Sequence, residues 1–259
     1  MDLGIAGRKA IVCASSDGLG RGCAMALAEN GVEVTVNGRD AAKLAATASA
    51  IAQATGVTVN QVVADVSSPA GQDALLDACP EPDILINNNG GPPRRDFREL
   101  DRTTMLEGVT QNFVTPIELI QRVVDGMAER GFGRIVNVTS LSVYMPIEGL
   151  DLSSGARAGL TAFLAGVTPQ FAGRGVTINN ILPGKMDTKR LAGGFEMAAK
   201  ARGTSVDDER ARQAGEIPAK RFGSAEEFGQ VCAFLCSQHA GYVTGQNVLL
   251  DGGLHVRAF

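Results

Sequence analysis

Short apolar segments of strand length alternate along the chain with longer amphipathic segments of helix length. In the segment 153–172, for example, Leu160, Phe163, Leu164 and Val167 recur at spacings of three, four and seven, which places them on one face of a helix. This alternation is typical of a parallel sheet wrapped by helices on both faces. The pattern therefore predicts an α/β fold of three layers around a doubly wound parallel sheet.

The apolar segments predict seven strands, at 9–14, 32–37, 57–63, 83–87, 133–139, 176–182 and 246–250. The amphipathic segments predict helices that include 18–30, 40–54, 103–129 and 153–172. No repeat or linker interrupts the series, so residues 1–259 are predicted to form a single domain. The segment 189–216 differs, because Gly193, Gly194, many charges and weak periodicity predict helical pieces that form a mobile flap over a site.

The composition excludes several classes of partner. A net charge of -4 and a pI near 5.3 provide no basic field, so binding to nucleic acid or to anionic lipid is not expected. No stretch approaches 18 uninterrupted apolar residues, which predicts a cytoplasmic protein. The partner expected is a small-molecule substrate. The five cysteines are scattered and lack a nearby histidine pair, so neither a metal site nor a disulfide is expected.

Glycines and polar residues gather where the predicted strands end. Ligands of an open parallel sheet bind beyond the carboxyl ends of its strands, where helix N-termini and backbone amides converge. Six strand ends carry such residues, at 13–20, 37–39, 65–66, 87–90, 139–140 and 183–188. The glycines at 18 and 20 let the backbone approach a pyrophosphate. The same strand ends supply the candidate cofactor contacts Ser15, Ser16, Gly90, Gly184 and Met186.

With the closing Asp251-Gly252-Gly253, these strand ends resemble those of the short-chain dehydrogenase/reductase family, from about residue 5 onward. The resemblance implies a Rossmann-type dinucleotide-binding fold with a seven-stranded sheet. It also implies a set of cofactor contacts. Gly18, Leu19 and Gly20 are expected at the pyrophosphate, Asp65 and Val66 at the adenine, Asn88 at the ribose and Thr188 at the carboxamide. Cys13 and Ala14 stand where the family usually has Thr and Gly, and we expect cofactor binding to survive that change.

The second strand end indicates which cofactor is bound. A free ribose 2′-hydroxyl is held by an acid at this place, whereas a 2′-phosphate needs a cation. Here the acid is missing, Asn37 takes roughly its place, and Arg39 follows within reach of a phosphate. These residues favour NADP(H) over NAD(H). The alternative is that Arg39 caps its strand or pairs with Asp40.

The family's chemistry uses a hydroxyl that polarises the substrate carbonyl, a tyrosine that passes the proton and a lysine that lowers the tyrosine pKa. Ser140 matches the hydroxyl, and Asn112 resembles the family's proton-relay asparagine. The stretch 153–160 aligns without a gap with Tyr-x-x-x-Lys-Ala-Gly-Leu, but the tyrosine has become Ser153 and the lysine Arg157. An aliphatic hydroxyl is a poor acid, so we expect a proton donor other than Ser153.

Arg157 stays charged, and its planar fork can hold ribose hydroxyls or an anionic substrate group. Three residues are candidates to replace the lost donor, and each has an alternative. Tyr144 either reaches the reacting oxygen or forms a pocket wall, and Lys185 either serves as an acid-base group or clamps an anion at the surface. Asp151 either acts through water or caps its helix.

Other charged residues are weaker candidates. Arg94 and Arg95 either meet an acidic substrate or solvate a loop. His239 and His255 are expected to lie away from the fifth strand, which excludes a Ser-His acyl-transfer site.

These residues lead to an NADP(H)-dependent oxidoreductase that transfers hydride between nicotinamide and a carbonyl or alcohol, 3-oxoacyl reductase-like or acting on a related ketone. One alternative is reduction of a conjugated carbon–carbon double bond, and another is a catalytically silent NADP(H)-binding protein. A lyase-like enzyme ranks last, since related folds of that kind lose the glycine turn that this chain keeps. The resemblance also implies a homotetramer, formed through helices 103–129 and 153–172 and the segment 245–250.

Overall fold

A computed structural model describes residues 1–92 and 94–256, apart from the side chain of Arg190. It contains one parallel sheet of seven strands in the order β3-β2-β1-β4-β5-β6-β7, which confirms the doubly wound α/β fold. All seven strands lie where the pattern predicts them, with ends that differ by up to two residues. Their bounds are β1 Lys9–Val12, β2 Glu33–Gly38, β3 Val59–Val63, β4 Ile84–Asn87, β5 Gly133–Val138, β6 Val176–Pro183 and β7 Asn247–Leu250.

The helices are α1 Gly18–Glu29, α2 Ala41–Thr55, α3 Pro69–Ala78, α4 Arg102–Val109, α5 Thr115–Glu129, α6 Asp151–Val167, α7 Pro169–Ala172, α8 Lys189–Arg202, α9 Val206–Glu216 and α10 Ala225–Cys236. The predicted helix 103–129 is divided into α4 and α5 by a π-helical turn at Thr110–Val114. The predicted flap consists of α8 and α9. Among the described residues, no helix is long and apolar enough to cross a membrane.

Polar side chains mark the starts of several helices. Asp17, Asp40 and Ser68 each accept a hydrogen bond from a backbone N–H in the first turn of α1, α2 and α3. Helix α6 begins differently, after Leu150, which makes no side-chain cap. Asp151 is the first residue of α6 and not its N-cap, which was the predicted alternative. Its negative charge interacts favourably with the positive end of the helix dipole.

Two apolar clusters cover the two faces of the sheet. On the first face, α1 and α10 cross so closely that both need glycine at the crossing. A Cβ on Gly22 would lie 2.1 Å from the carbonyl oxygen of Ala225, and one on Gly229 would lie 2.2 Å from that of Gly22. This contact fixes α1, whose first residue belongs to the glycine turn, against the body of the protein.

The second face carries a row of four buried or half-buried amides that we call the asparagine ladder: Asn87, Asn137, Asn180 and Asn247. They are register partners on β4, β5, β6 and β7. Each Nδ2 donates to the Oδ1 of the next residue, at 2.9, 3.0 and 2.7 Å in turn. The ladder thus joins four strands through side chains as well as through backbone.

Candidate active site

The glycine turn after β1 is shaped by close backbone contacts. A Cβ on Gly20 would lie 2.4 Å from the carbonyl oxygen of Ala14 and 2.8 Å from Nδ2 of Asn88, so only glycine fits there. Ala14 itself has a φ of 45°, in the left-handed region that favours glycine. Burial raises the pKa of the Cys13 thiol to about 12, which makes Cys13 an inert packing residue. The turn therefore keeps the tight backbone packing that glycine permits, despite its two departures from the family pattern.

Two residues near the turn have structural roles. The Asn37 Oδ1 accepts from the backbone N–H of Ala14 at 3.2 Å, and its Nδ2 donates to the carbonyl of Val62 at 3.0 Å. The Ser15 hydroxyl donates to the carbonyl of Val12 at 2.7 Å and accepts from the backbone N–H of Asn37 at 2.9 Å. These bonds join the turn to β1, β2 and β3. Both side chains are bonded within the protein, so the side chain of Ser15, a predicted cofactor contact, has a structural role here.

Arg39 lies at the end of β2 with its side chain exposed. The predicted alternative, a pair with Asp40, is not formed, because Asp40 caps α2 and lies 3.7 Å from Lys43 Nζ. Within the described part of the chain, Arg39 makes no hydrogen bond or ion pair. Ser16 is beside it, since a Cβ on Gly38 would lie 2.9 Å from the Ser16 Oγ. An unpaired guanidinium and a hydroxyl are suitable partners for a phosphate.

The segments that follow β3 and β4 meet next to this turn. Val66 is buried, whereas Asp65 is exposed and its Oδ1 accepts from the backbone N–H of Ser67 at 2.9 Å. Asn88 Nδ2 donates to the carbonyl of Ala14 at 3.1 Å, which ties β4 to the turn. Gly90 is exposed beyond it. The predicted strand ends thus converge at one edge of the sheet.

The end of β5 brings together three of the predicted catalytic residues. Ser153 and Arg157, one helical turn apart on α6, are only 6% and 8% exposed. Arg157 Nε donates to Ser153 Oγ at 3.2 Å, and its Nη1 donates to the carbonyl of Val138, the last residue of β5, at 2.6 Å. Ser140 follows two residues later, and its Oγ accepts from the backbone N–H of Ser142 at 3.1 Å. A guanidinium only donates, so the Ser153 hydroxyl keeps its proton for another acceptor.

Asn112 lies in the π-helical turn and borders a small cavity that Arg157 also lines. Its Nδ2 donates to the carbonyl of Gly108 at 3.2 Å, whereas its Oδ1 has no hydrogen-bond partner among the described residues. Asn87 Oδ1 and Thr115 Oγ1, also on residues that line the cavity, are likewise unsatisfied. The cavity encloses about 20 Å³. That volume fits one water, which needs about 10–15 Å³.

The end of β6 leads into the flap. Gly184 packs against the C-terminal segment, since a Cβ there would lie 2.7 Å from the Asp251 Cα. Lys185 Nζ lies 3.1 Å from Glu216 Oε2, and this ammonium lowers the pKa of the Glu216 carboxyl. Met186 is buried, and Thr188 lies beside Gly18, with 3.7 Å between its Cγ2 and a Cβ built on that glycine. Lys185 therefore serves as a flap contact in this conformation.

Two further ion pairs close the flap, and sequence reasoning missed both. Lys189 Nζ, at the start of α8, lies 2.7 Å from Asp17 Oδ2 in the glycine turn. Arg210 on α9 donates to both carboxylate oxygens of Asp187 at 3.0 and 2.5 Å. The cationic partner lowers the pKa of each carboxyl. The flap is thus held against the turn that is expected to bind the cofactor.

Tyr144 lies in the loop after Ser140, but its hydroxyl accepts a hydrogen bond of 2.8 Å from Asn247 Nδ2 on β7. Its ring lies 5.4 Å from the His255 ring, centroid to centroid. This geometry favours the pocket-wall alternative for Tyr144. The expected distance of His255 from the strand-five loop is therefore wrong. His239, in contrast, bonds the carbonyl of Asp2 at 2.8 Å.

Arg94 and Arg95 tie two loops of the site together. Arg94 Nε donates to the carbonyl of Glu148 at 2.7 Å, and the backbone N–H of Arg95 donates to the carbonyl of Gly149 at 3.0 Å. Both side chains are exposed. The loop that follows β4 therefore braces the loop that follows β5, and this structural role is one that the sequence did not predict.

Comparison with known proteins gives consistent matches over most of the chain. Residues 13–255 match a family model described as enoyl-(acyl carrier protein) reductase. The acetoacetyl-CoA reductase of Cupriavidus necator is 33% identical over 190 residues, which are 73% of each chain. The NADPH-dependent reductase BacG of Bacillus subtilis is 30% identical over 251 residues, 95% of this chain and 97% of that one. The L-sorbose reductase of Gluconobacter frateurii, solved with NADPH and L-sorbose, superposes with a TM-score of 0.94 at 27% identity, over 99% and 100% of the two chains.

Proposed function

The chain belongs to the short-chain dehydrogenase/reductase family, and on this premise we propose that it is an NADP(H)-dependent oxidoreductase acting on a carbonyl or alcohol. The relatives named as reductases of ketone substrates support the reaction class. One observation of this chain carries the proposal further. Ser140, Ser153 and the buried Arg157 guanidinium meet at the end of β5, at the edge of the sheet where the glycine turn also lies.

The residues at this edge fit a phosphorylated dinucleotide. The glycine turn leads into the N-terminus of α1, which suits a pyrophosphate, and the unpaired Arg39 suits a 2′-phosphate. Val66, Asn88 and Thr188 would hold the adenine, ribose and nicotinamide ends, with Gly184 and Met186 beside the last. When bound, the nicotinamide supplies or accepts the hydride. Neighbouring structures solved with NADPH support this choice of cofactor.

In this proposal, Ser140 and Ser153 hydrogen-bond the substrate oxygen. Because Arg157 donates to Ser153 Oγ, the hydroxyl proton of Ser153 is directed at a further acceptor. The fixed charge of Arg157 then stabilises the negative charge that develops on the substrate oxygen during reduction. Arginine does not titrate at working pH, so we assign the final proton to water, for which the cavity beside Asn112 and Arg157 has room.

The test is a titration of the protein with NADPH and NADH, followed by nicotinamide absorbance with a panel of ketones and alcohols. We expect tighter binding of NADPH and turnover of at least one ketone. Ser140→Ala should lose about 10²-fold or more in kcat while NADPH binding is retained. Tight binding of NADPH without turnover of any panel member would instead favour the silent nucleotide-binding protein.

A second reaction, reduction of a conjugated double bond, is favoured by the description of the matched family model. It requires protonation at carbon rather than oxygen, so the absence of a tyrosine acid at position 153 is a smaller handicap. Cyclohex-2-enone and cyclohexanone, assayed side by side, separate the two reactions. Turnover of the enone alone would assign the enzyme to double-bond reduction.

We also propose a cytoplasmic homotetramer. The five cysteines are all buried and free, as expected in a reducing compartment. The outer surfaces of α4 and α6 expose large apolar side chains, with Leu106 at 55% and Phe163 at 45%. Such a patch supports association of copies through these helices. The segment 245–250, which includes the edge strand β7, supports a second contact between copies.

A further inference from the structure

The asparagine ladder has a fixed direction. Asn87 Nδ2 also donates to the carbonyl of Pro116 at 3.3 Å, and Asn137 Nδ2 to the carbonyl of Asn179 at 3.3 Å. A backbone carbonyl only accepts, so these two bonds determine which side of each amide is nitrogen. Every rung therefore donates toward β7. The last rung, Asn247, donates to the Tyr144 hydroxyl at 2.8 Å.

This direction determines which hydrogen bonds the Tyr144 hydroxyl can still make. Its oxygen accepts from Asn247, and its own O–H has no acceptor among the described residues. The His255 ring lies against it at 5.4 Å, with an interplanar angle of 32°. His255 Nε2 is buried and also has no partner among the described residues. An unpaired buried polar group lacks the hydrogen bond that it makes to water in the unfolded chain, and a ligand that bonds to it restores that bond.

The two unpaired groups lie beside the loop that carries Ser140. Tyr144 belongs to the loop that follows Ser140. His255 is held by its backbone N–H, which donates to Asp251 Oδ2 at 2.8 Å. The preceding residue, Leu254, packs on the apolar cluster of Phe195, Ile217 and Phe222 beneath the flap. The pair thus lies between the loop after β5 and the base of the flap.

We propose that Tyr144 and His255 form a subsite for a hydroxyl group of the substrate, at a distance from its reacting carbonyl. A hydroxyl both accepts and donates, so in this proposal it accepts from the Tyr144 O–H and donates to His255 Nε2, with the ring proton on the other nitrogen. With that tautomer, a carboxylate, which only accepts, satisfies only the Tyr144 O–H. The substrate class is therefore a hydroxylated ketone. This inference rests on the proposed carbonyl chemistry, whose substrate it specifies.

The test measures binding rather than turnover. Calorimetry of the protein–NADP⁺ complex with a six-carbon ketose, L-sorbose, and with 2-hexanone compares ligands with and without hydroxyl groups. We expect Tyr144→Phe and His255→Phe, which keep the rings, each to weaken ketose binding about tenfold and to leave 2-hexanone binding unchanged. Tyr242→Phe and His239→Phe are matched controls, since Tyr242 is fully exposed and His239 bonds the carbonyl of Asp2.

Equal weakening of both ligands by the two variants, or weakening of neither, overturns the subsite. It is also overturned if the wild-type complex binds the ketose no more tightly than 2-hexanone. Failure of the proposed function has a different signature, which is absence of NADP⁺ binding or of hydride transfer. In that case the same titrations on the protein alone still decide the subsite, because they require no reaction.

Discussion

At position 157 the positive charge of the family's lysine is kept while its ability to titrate is lost. The guanidinium is anchored to both Ser153 and the end of β5, so it lies in a fixed orientation beside the site. The neighbouring hydroxyl is a much weaker acid than a phenol. In the proposed reaction, the site therefore keeps a positive charge beside the reacting oxygen and has no phenol at position 153 to act as the acid. This combination predicts slow turnover limited by protonation.

Restoring the family's pair tests that view. We expect the double variant Ser153→Tyr with Arg157→Lys to raise kcat about 10²-fold, because a phenol beside an ammonium is an efficient general acid. The NADPH dissociation constant should stay within about threefold, since lysine keeps a cationic hydrogen-bond donor at position 157. Steady-state kinetics and fluorescence titration measure the two quantities, with Ser153→Tyr alone as the control. An unchanged or lower kcat in a folded double variant would contradict proton-limited turnover.

Arg39 determines the preference for a phosphorylated cofactor in our proposal. Replacing it with alanine should weaken NADPH binding about tenfold or more, because a charge-assisted bond to the 2′-phosphate is lost. NADH binding should not change, since NADH lacks that phosphate. Arg39→Lys is the matched control and should recover part of the affinity. Equal loss for both cofactors would show that Arg39 supports the fold rather than the phosphate.

Ala14 carries a conformational cost that glycine would remove. With a φ of 45°, its side chain is in a region that disfavours L residues by about 1 kcal/mol. We expect Ala14→Gly to raise the melting temperature by about 2–4 °C. The control is Ala54→Gly in helix α2, where the same change should lower the melting temperature. A lower melting temperature for Ala14→Gly would show that the methyl group packs favourably.

Among the elements, the strands were the easiest to predict and the breaks in helices the hardest. Buried parallel strands appear in the sequence as continuous apolar segments, and these segments predict the strand ends to within two residues. The π-helical turn at Thr110–Val114 has no side-chain cap that would mark a break in the sequence, so 103–129 was predicted as one helix. Helix α3 was not predicted, although Ser68 and Pro69 form a recognisable start signal. Asparagines inside apolar strands were the overlooked signal of the ladder.

The ion pair between α8 and the glycine turn should regulate how easily the flap opens. Lys189→Met removes the partner of Asp17 and should lower the hydrogen-exchange protection of α8 by up to about fivefold, the usual range for an exposed pair. Lys200→Met, in the same helix, is the control, because Lys200 makes no ion pair within the described part of the chain. Equal protection in the two variants would show that apolar packing alone holds the flap.

The ion pair between Asp17 and Lys189 also predicts that the hydrogen-exchange protection of α8 depends on pH. The Lys189 ammonium lowers the folded-state pKa of Asp17, so the stabilisation is present above the unfolded carboxyl pKa of about 3.9. It is lost as the pH falls through the lowered value. Protection of α8 in the wild type should therefore decrease in acid below about pH 4, and less so in Lys189→Met. Parallel decreases in both proteins would assign the effect to other carboxyls of the flap.

For the molecule as a whole, topology made the location of the site predictable. The carboxyl ends of parallel strands meet at one edge, so residues separated by more than 100 positions were expected to lie together. Contacts between loops were not predictable in this way. The pairs Asp17–Lys189 and Tyr144–His255 depend on the conformations of the flap and of the C-terminal segment, which local propensity does not determine.

The proposed homotetramer can be tested by changing an exposed aromatic residue on α6. Phe163 packs edge-on against Phe113, with ring centroids 5.9 Å apart, and remains 45% exposed. Phe163→Glu should convert the proposed tetramer to a smaller species, because a charge would be buried in the contact. Light scattering measures the mass, and Phe234→Glu on α10 is the control with a similarly exposed ring. A monomeric wild type, or a tetramer that tolerates Phe163→Glu, would contradict the proposed contact.

The asparagine ladder has a consequence for how this sheet can evolve. Removal of one rung leaves an acceptor unfilled on one side and a donor unfilled on the other, in a part of the protein with little water. Simultaneous apolar replacement of neighbouring rungs avoids that penalty. The effect of a substitution at one of the four positions therefore depends on the residues at the others. We expect the four asparagines to change together in evolution, although their strands are distant in the sequence.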